Sequence, residues 1–250
     1  MPTPFTHLVA AERLLNDPAL EAAHRELLSA NRGAFLLGNV APDAHVFGQL
    51  RVSSHFYDCT LEAMPPACNM MLTEFPELRR ATLHQSSQIA FIAGYIAHLA
   101  VDVVFCEQLI RPHLIAYRHT PEHPQARRRW NYMLTWLDTR DYSRLSHGVG
   151  TLLYATQPDH WLPFMPDKAL EEWRDLIAVQ CPPNGCNQSF EILGARINLS
   201  PAELEAVVRS PERMQQDVWP FITPDELQAT EDAMYNQMRA DVVHYLNPER

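Results

Sequence analysis

The segment that most constrains the fold is SSQIAFIAGYIAHLAVDVVFCEQLI, residues 86–110, which is apolar around almost its whole circumference when drawn as a helix. A helix of this kind is typical of the centre of a protein, where every face meets other apolar groups. This one nonetheless carries His98 and Asp102. An imidazole and a carboxylate are costly to bury without partners. The sequence therefore predicts a long central helix with a polar pair that needs a partner.

Gly94, His98 and Asp102 are spaced four residues apart, so they fall on one stripe of the helix, each roughly 6 Å above the last. Gly94 removes a side chain where another group must come close. A bound cation would satisfy the pair, because aspartate supplies charge and histidine a neutral nitrogen. The alternative is a simple hydrogen bond between His98 and Asp102 in the core. Taken alone, the His-x-x-x-Asp spacing favours this alternative.

The other segments indicate an all-α protein. Apolar residues recur at three- and four-residue spacing, strand-like alternation is absent, and there are only eight glycines, while twenty prolines separate the helical segments. Ser200 and Thr223 each precede a proline and stand three residues before a glutamate, a pattern that starts helices. We expect a core at residues 1–165 and a helical C-terminal extension at 166–250, docked on that core because it is small. The predicted helical segments are THLVAAERLL, PALEAAHRELLSA, QARRRWNYMLTWLDTRD, DKALEEWRDLIAVQ and TPDELQATEDAMYNQMRADVVHYLN.

Composition and charge limit the kinds of molecule that the protein can bind. The 250 residues are 46% hydrophobic and 20% charged, and acidic residues outnumber basic ones by 30 to 20. The net charge of -10 argues against binding nucleic acid through a basic face, but not against a phosphorylated substrate, since bound cations could supply positive charge. Neither a signal peptide nor a transmembrane segment is expected. The five scattered cysteines predict reduced thiols in a cytoplasmic protein; Cys181 and Cys186 could form a bridge, but nothing requires one.

Three further residues are potential ligands: His7 in the first helix, Asp43 after Pro42 in a loop, and His55 in the apolar-aromatic stretch SSHFYD. Each alone has a simpler explanation. His7 could face solvent, Asp43 could stabilise a turn, and His55 could be a partly buried core histidine.

Taken in order, these residues resemble the zinc-dependent phospholipase C family and its relatives, the S1/P1-type nucleases. The similarity covers about residues 1–108 and continues more weakly to about residue 180. It implies a multi-helix, phospholipase C/P1 nuclease-like bundle with a metal cluster between helices. The residues that carry it are His7, Gly38, Pro42-Asp43, His55 and Gly94-x-x-x-His98-x-x-x-Asp102.

The resemblance also implies roles. His55 and His98 would bind one zinc ion, and Asp102 would bridge it to a second, which His7 and the N-terminal amine would bind. Removal of the initiator methionine would make that amine the one of Pro2. Asp43 would bind zinc or act as a general base.

The third zinc site of such proteins is not expected here. Its usual ligands are a histidine soon after the bridging aspartate and a His-x-x-x-Glu/Asp pair on a later helix, and the chain has neither. Cys106 and Glu107 lie nearby, Cys106 more in keeping with a buried structural cysteine. His113, His119 and His123 are expected on a surface loop, because prolines interrupt that segment. The resemblance, without these ligands for a third ion, therefore implies two zinc ions.

These features favour a metal-dependent hydrolase of phosphoesters or phosphodiesters, in which two ions activate a water molecule and Asp43 orients it or takes its proton. The substrate would be a small phosphorylated molecule or a phospholipid headgroup. The alternative is a helical protein whose metal centre has decayed to a structural or ligand-binding role. A di-iron oxidase would need two Glu-x-x-His motifs, and the chain has one, Glu21 to His24. The oligomeric state is not predicted.

Overall fold

The computed structural model describes residues 1–47, 51–61, 64–83 and 85–247, and these residues contain helices and no strand, which confirms the all-α prediction. The predicted helical segments are all helical, although the second helix begins at Ala22, four residues after the expected start. The α-helices are α1 (Pro4–Leu15), α2 (Ala22–Ala30), α3 (Arg32–Gly38), α4 (Arg51–His55), α5 (Ala67–Glu74), α6 (Ser86–Phe105), α7 (Arg111–His113), α8 (His123–Tyr142), α9 (Val149–Ala155), α10 (Asp167–Ala178), α11 (Ser189–Ala195), α12 (Pro201–Val208), α13 (Pro211–Asp217) and α14 (Pro224–Leu246).

Helix α6 forms the centre of the core, with every residue from Ile89 to Asp102 buried. Helices α3 and α14 pack along it. The stretch Ser86–Tyr117 is long and apolar enough to cross a membrane, but 89% of its most apolar window is buried inside the protein. Core helices of soluble proteins pass the same test of length and composition, so the stretch is weak evidence for a membrane span.

Two glycines set how closely α3 approaches α6. A Cβ atom on Gly94 would lie 2.2 Å from the carbonyl oxygen of Phe35, and one on Gly38 would lie 2.0 Å from the carbonyl oxygen of Phe91. Only glycine at both positions lets the two backbones meet. The close approach expected at Gly94 is therefore an approach of the α3 backbone, which brings Asn39, at the end of α3, against α6.

A disulfide between Cys59 and Cys106 corrects the expectation that all five cysteines are reduced. Cys106 opens a π-helical turn, Cys106–Ile110, that continues α6. The bridge ties the chain just after α4 to the end of α6, two segments that both carry candidate ligands. Cys68, Cys181 and Cys186 are free, so the optional bridge between the last two is not formed.

The C-terminal helices pack on the rest of the protein. Helix α14 lies along α6, α10 contacts the 3₁₀ helix Ala41–Phe47, and α11 contacts α8. Ser200 forms a capping box with Glu203, and the Thr223 hydroxyl accepts a hydrogen bond from the backbone of Glu226, so both predicted helix starts are present. The division into residues 1–165 and 166–250 stays a prediction.

Asp138 links α8 to the extension. Its carboxylate is 1% exposed and accepts hydrogen bonds from the Ser189 hydroxyl and the Asn187 side chain. Burial raises the pKa of Asp138 to about 7, against the opposing effect of hydrogen bonds from Thr3 and Asn187. The native state therefore binds a proton here at pH values where the unfolded chain has released it.

The free energy of unfolding should accordingly carry a contribution from Asp138 that falls as the pH rises from about 4 to about 7. Asp138→Asn removes this titration, so the stability of the variant relative to the unsubstituted protein should rise by roughly 2–4 kcal/mol between pH 4.5 and pH 8. Urea unfolding of both proteins at the two pH values measures the change, and groups other than Asp138 cancel in the comparison. An unchanged stability difference would show that Asp138 is ionised in the native state throughout this range.

Candidate metal centre

The stripe on α6 provides the two residues at the middle of the site. His98 is 0% exposed and Asp102 is 2% exposed. The Nδ1–H group of His98 donates to the backbone carbonyl of Asn39 over 2.8 Å. This bond leaves Nε2 of His98 free to accept, and that atom lies 3.4 Å from Oδ2 of Asp102. Fixing one ring nitrogen through a backbone carbonyl is the usual way a protein orients a metal-binding histidine.

Helix α1 brings His7 to the opposite side of Asp102. Its buried ring stacks on that of His98, with centroids 3.8 Å apart and an angle of 10° between the planes. Nε2 of His7 lies 3.4 Å from Oδ1 of Asp102. The hydroxyl of the next residue back, Thr6, donates to Asp141 on α8 over 2.8 Å and so anchors α1 at this point. His7 is therefore buried in the site and does not face solvent.

The short helix α4 delivers His55, which is 1% exposed. Its Nδ1 lies 2.9 Å from the Ser54 hydroxyl, and its Nε2 points toward the two aspartates, 3.3 Å from Oδ1 of Asp43 and 3.4 Å from Oδ2 of Asp102. Phe56, the residue after α4, has a φ of 52°, a left-handed conformation that is uncommon for a bulky side chain and turns the chain away directly after His55. Asp43 lies in the 3₁₀ helix Ala41–Phe47.

Asp102 joins the two halves of the cluster through its two oxygens. Oδ1 faces His7, whereas Oδ2 faces both His55 and His98. Two sets of ligand atoms lie close enough together to hold a cation among the described residues: His7 with His98 and Asp102, and Asp43 with His55 and His98. All five residues singled out in the sequence therefore converge on one place.

Several polar atoms in this cluster are buried without a hydrogen bond: both ring nitrogens of His7, Nε2 of His98 and Oδ1 of Asp102. Buried polar atoms are nearly always satisfied, so a group of such atoms pointing at one another needs an explanation. A metal ion would supply one, because imidazole nitrogens and carboxylate oxygens are the ligands that zinc prefers when cysteine is absent. The side chains present fit zinc.

The pKa shifts of His7, His55 and the two aspartates favour the forms that bind zinc, whereas that of His98 does not. Burial opposes protonation of His98, but the charge of Asp102 and the contact with it raise the pKa of His98 above its ordinary value. Burial, together with neighbouring His98, lowers the pKa of His7 to about 4, and burial also lowers the pKa of His55. Burial opposes ionisation of Asp102, yet the charge of His98 and the contact with His7 hold the pKa of Asp102 well below its ordinary value. Burial likewise opposes ionisation of Asp43, but His55 and His98 keep its pKa low. Neutral imidazoles and ionised carboxylates are the forms that coordinate zinc.

Arg51 is a site residue that the sequence analysis missed. Its guanidinium Nη2 lies 2.8 Å from Oδ2 of Asp102, and Nη1 lies 2.7 Å from Nε2 of His55 and 3.8 Å from Oδ1 of Asp43. The arginine thus places positive charge against both carboxylates. The signal that could have found it is its spacing, one helical turn before His55.

Pro2 is buried and lines a cavity beside Asp43 and Arg51. Its nitrogen is joined to Met1 by a peptide bond in the structure, so its role as an amine ligand stays a prediction that depends on removal of Met1.

The residues considered for a third zinc site lie elsewhere. Cys106 is in the disulfide, and Glu107 is half exposed and contacts Arg111. His113 is not on a free surface loop as expected, because it is partly buried in α7 and pairs with Glu226 of α14 over 2.7 Å. None of them joins the sets of possible ligands among the described residues.

Fold and site together define an all-α protein whose central helix and three neighbouring segments carry a buried histidine–aspartate cluster suited to zinc. The family model for zinc dependent phospholipase C matches residues 6–161, more than half of the chain, and the protein belongs to that family. The family predicted from the sequence is thereby confirmed. No curated protein and no solved structure matches the chain.

Proposed function

We propose that the protein is a zinc-dependent phosphoric ester hydrolase that works through two ions bridged by Asp102. Family membership and the His/Asp cluster support a metal-dependent phosphoesterase. The observation that supports a two-ion site most directly is the division of the Asp102 oxygens, one toward His7 and the other toward His55 and His98. A carboxylate whose two oxygens face different ligands would be able to serve two cations.

Within this proposal the residues of the chain have distinct tasks. His55 and His98 would hold one ion together with Asp102, and His7 would hold the other with Asp102. Bound zinc supplies a water molecule of lowered pKa and polarises the phosphoryl group. In the hydrolysis, the water oxygen bonds to phosphorus, the ester P–O bond breaks, and the leaving alcohol takes a proton.

In this proposal Asp43 orients that water or takes its proton. It is ionised at neutral pH, 18% exposed, and lies between His55 and the cavity lined by Pro2 and Arg51. A carboxylate at this position can accept a hydrogen bond from water and so orient its lone pair toward a phosphoryl group in the cavity. Arg51 contacts the same ligand atoms of His55 and Asp102, so zinc binding at those atoms requires the guanidinium to turn toward the cavity.

The proposed substrate class is a small phosphorylated molecule or a phospholipid headgroup, including phosphodiesters. The proposed location stays the cytoplasm, but the cysteines no longer support it, because Cys59 and Cys106 form a disulfide. Elemental analysis of protein purified without chelator, combined with hydrolysis of bis(p-nitrophenyl) phosphate, tests the activity. We expect about two zinc ions per chain and a rate that a chelator abolishes and added zinc restores. Protein without bound metal and without activity would instead support the structural or ligand-binding alternative.

A matched pair of histidine variants tests whether the cluster holds the metal. His98→Ala should remove at least one zinc ion per chain and the activity, because His98 belongs to both sets of possible ligands. His24→Ala is the control, since His24 is also buried but lies on α2, where its Nδ1 is 4.0 Å from Glu21. Elemental analysis of the two folded variants should show metal loss only in His98→Ala, and equal metal content would rule out the cluster.

A further inference from the structure

A cavity of about 380 Å³ adjoins the candidate metal centre. Asp43 and Arg51 line the side of it next to the cluster. The volume falls in the range of cavities that bind small molecules. A substrate whose phosphoryl group reaches Asp43 would have the rest of its structure in this cavity.

The chain beyond the family match builds another wall of this cavity. The match ends at residue 161, whereas α10 contributes Trp173, Leu176 and Ile177, and α11 contributes Ile192 and Leu193. Two of these apolar side chains are exposed, Leu176 by 38% and Ile192 by 49%. The Trp173 indole N–H donates to the carbonyl of Val40 over 2.8 Å, which fixes this wall against the segment that carries Asp43. A hydrogen bond therefore ties this wall to the segment that carries Asp43, and part of the wall is uncovered.

Arg196 lies at the end of this wall, on the same cavity. Its backbone carbonyl accepts a hydrogen bond from Arg127 over 2.9 Å, but its guanidinium makes no hydrogen bond or ion pair with any described residue. Desolvation lowers the pKa of Arg196, and the charge of Asp43 opposes that shift, so the two groups lie within electrostatic reach. Arg51, in contrast, is held by Asp102. Arg196 is thus an exposed residue that lines the cavity, and its guanidinium has no protein partner among the described residues.

We infer that residues 173–196 select the substrate: Arg196 binds a phosphoryl oxygen, and Leu176 and Ile192 bind a hydrocarbon group attached to the phosphate. The substrate is then an alkyl phosphoester, either soluble or part of a lipid. A guanidinium suits this task because its planar donors match two phosphate oxygens. The inference rests on the proposed function, and it assigns specificity to a segment outside the family match.

The phosphate contact is tested with zinc-loaded protein and p-nitrophenyl alkyl phosphates. Arg196→Ala should raise KM roughly 10- to 100-fold, the range expected for losing a hydrogen bond to a charged group, with zinc content and kcat nearly unchanged. Arg196→Lys should recover part of the loss because it restores the charge without the planar donors. Arg209→Ala, at an exposed arginine paired with Glu205 on α12, is the control and should leave KM unchanged. An unchanged KM in Arg196→Ala would overturn the phosphate-binding role.

The hydrocarbon contact is tested by chain length, from methyl to octyl. Affinity should increase by up to about fourfold for each methylene that the wall covers. The double variant Leu176→Ser and Ile192→Ser should bind the methyl ester normally but lose most of the gain with chain length. Val179→Ser is the control, because Val179 is 62% exposed just after α10 and does not line this cavity. Equal chain-length dependence in the double variant and the control would overturn the role of the wall.

Two further experiments distinguish a failure of this inference from a failure of the proposed hydrolysis, and a soluble substrate from a lipid one. Calorimetric titration of zinc-loaded protein with alkyl phosphonates measures binding without turnover. Chain-length-dependent binding that requires Arg196, in a protein that hydrolyses nothing, would support the inference and refute the proposed hydrolysis. Binding that depends on neither Arg196 nor chain length would refute the inference whatever the hydrolytic rate. Comparing soluble esters with dioleoylphosphatidylcholine vesicles identifies whether the alkyl phosphoester is free or lipid-borne.

Discussion

Asp102→Asn is expected to lower the phosphodiesterase rate by at least about 100-fold and to reduce bound zinc to below one ion per chain. The amide keeps the shape of the side chain, but it removes the negative charge and one of the two oxygens. In the structure Oδ1 of Asp102 lies near His7, and Oδ2 lies near His55 and His98. The loss of the charge and of one oxygen should therefore lower the affinity for both ions. Elemental analysis and the initial rate of bis(p-nitrophenyl) phosphate hydrolysis measure the two effects.

His7→Ala is the informative comparison, because His7 contacts only one oxygen of Asp102. This variant should retain about one zinc ion per chain and lose less activity than Asp102→Asn. Asp241→Asn serves as the control, since it makes the same change at a half-buried carboxylate on α14 that belongs to neither set of possible ligands. Small and equal effects of Asp102→Asn and His7→Ala would contradict a bridging role for Asp102.

The sequence predicted the parts of the site that depend on local spacing. His98 and Asp102 lie on one face of α6 because residues four apart on any helix do so, and the apolar residues around them required that face to be buried. Gly94 on the same stripe indicated a close approach. His7, Asp43 and His55 carried no such signal individually, and only their order along the chain pointed to them.

The parts that the sequence did not predict depend on tertiary packing. The acceptor that orients His98 is the backbone carbonyl of Asn39, which every residue type would offer equally. The partner of Cys106 lies 47 residues away, and that pairing follows from where the segment after α4 crosses the end of α6. Arg51 looks like an ordinary surface arginine until α4 is placed against Asp102.

The packing of the C-terminal helices likewise could not be predicted from the sequence. Asp138 and Arg196 acquire their environments only when α11 packs on α8 and the wall of α10 closes on the 3₁₀ helix Ala41–Phe47. An aspartate in an amphipathic helix and an arginine after a short helix are both common on protein surfaces, so neither residue type predicts a role.

The crossing of α3 and α6 connects the fold to the site, and Gly94→Ala should show this connection with a large loss of stability. The added Cβ would lie 2.2 Å from the carbonyl oxygen of Phe35 and 3.0 Å from the backbone nitrogen of Asn39. Because Phe35 O and Asn39 N are backbone atoms, no side-chain rotation can relieve the clash, and the two helices must separate by about 1 Å to reach ordinary contact. We expect the free energy of unfolding to fall by roughly 3 kcal/mol, even after the better helix propensity of alanine is included.

The same separation of α3 from α6 should weaken zinc binding, although the nearest neighbours of the added Cβ atom, Phe35 and Asn39, are not candidate ligands. Moving α3 away from α6 lengthens the hydrogen bond from His98 Nδ1 to the Asn39 carbonyl, which is 2.8 Å long. Loss of such an orienting bond typically costs 10- to 100-fold in metal affinity. Gly33→Ala is the comparison on α3, since its added Cβ would lie 2.2 Å from the rotatable hydroxyl of Thr156 and 3.1 Å from the carbonyl oxygen of Leu152, away from Asn39 and His98. Urea unfolding should show a smaller loss of stability in Gly33→Ala than in Gly94→Ala, and zinc titration should show a loss of affinity only in Gly94→Ala. A Gly94→Ala protein of normal stability would show that the helices are not held together at this point, whereas a destabilised protein with normal zinc affinity would show that Asn39 does not orient His98.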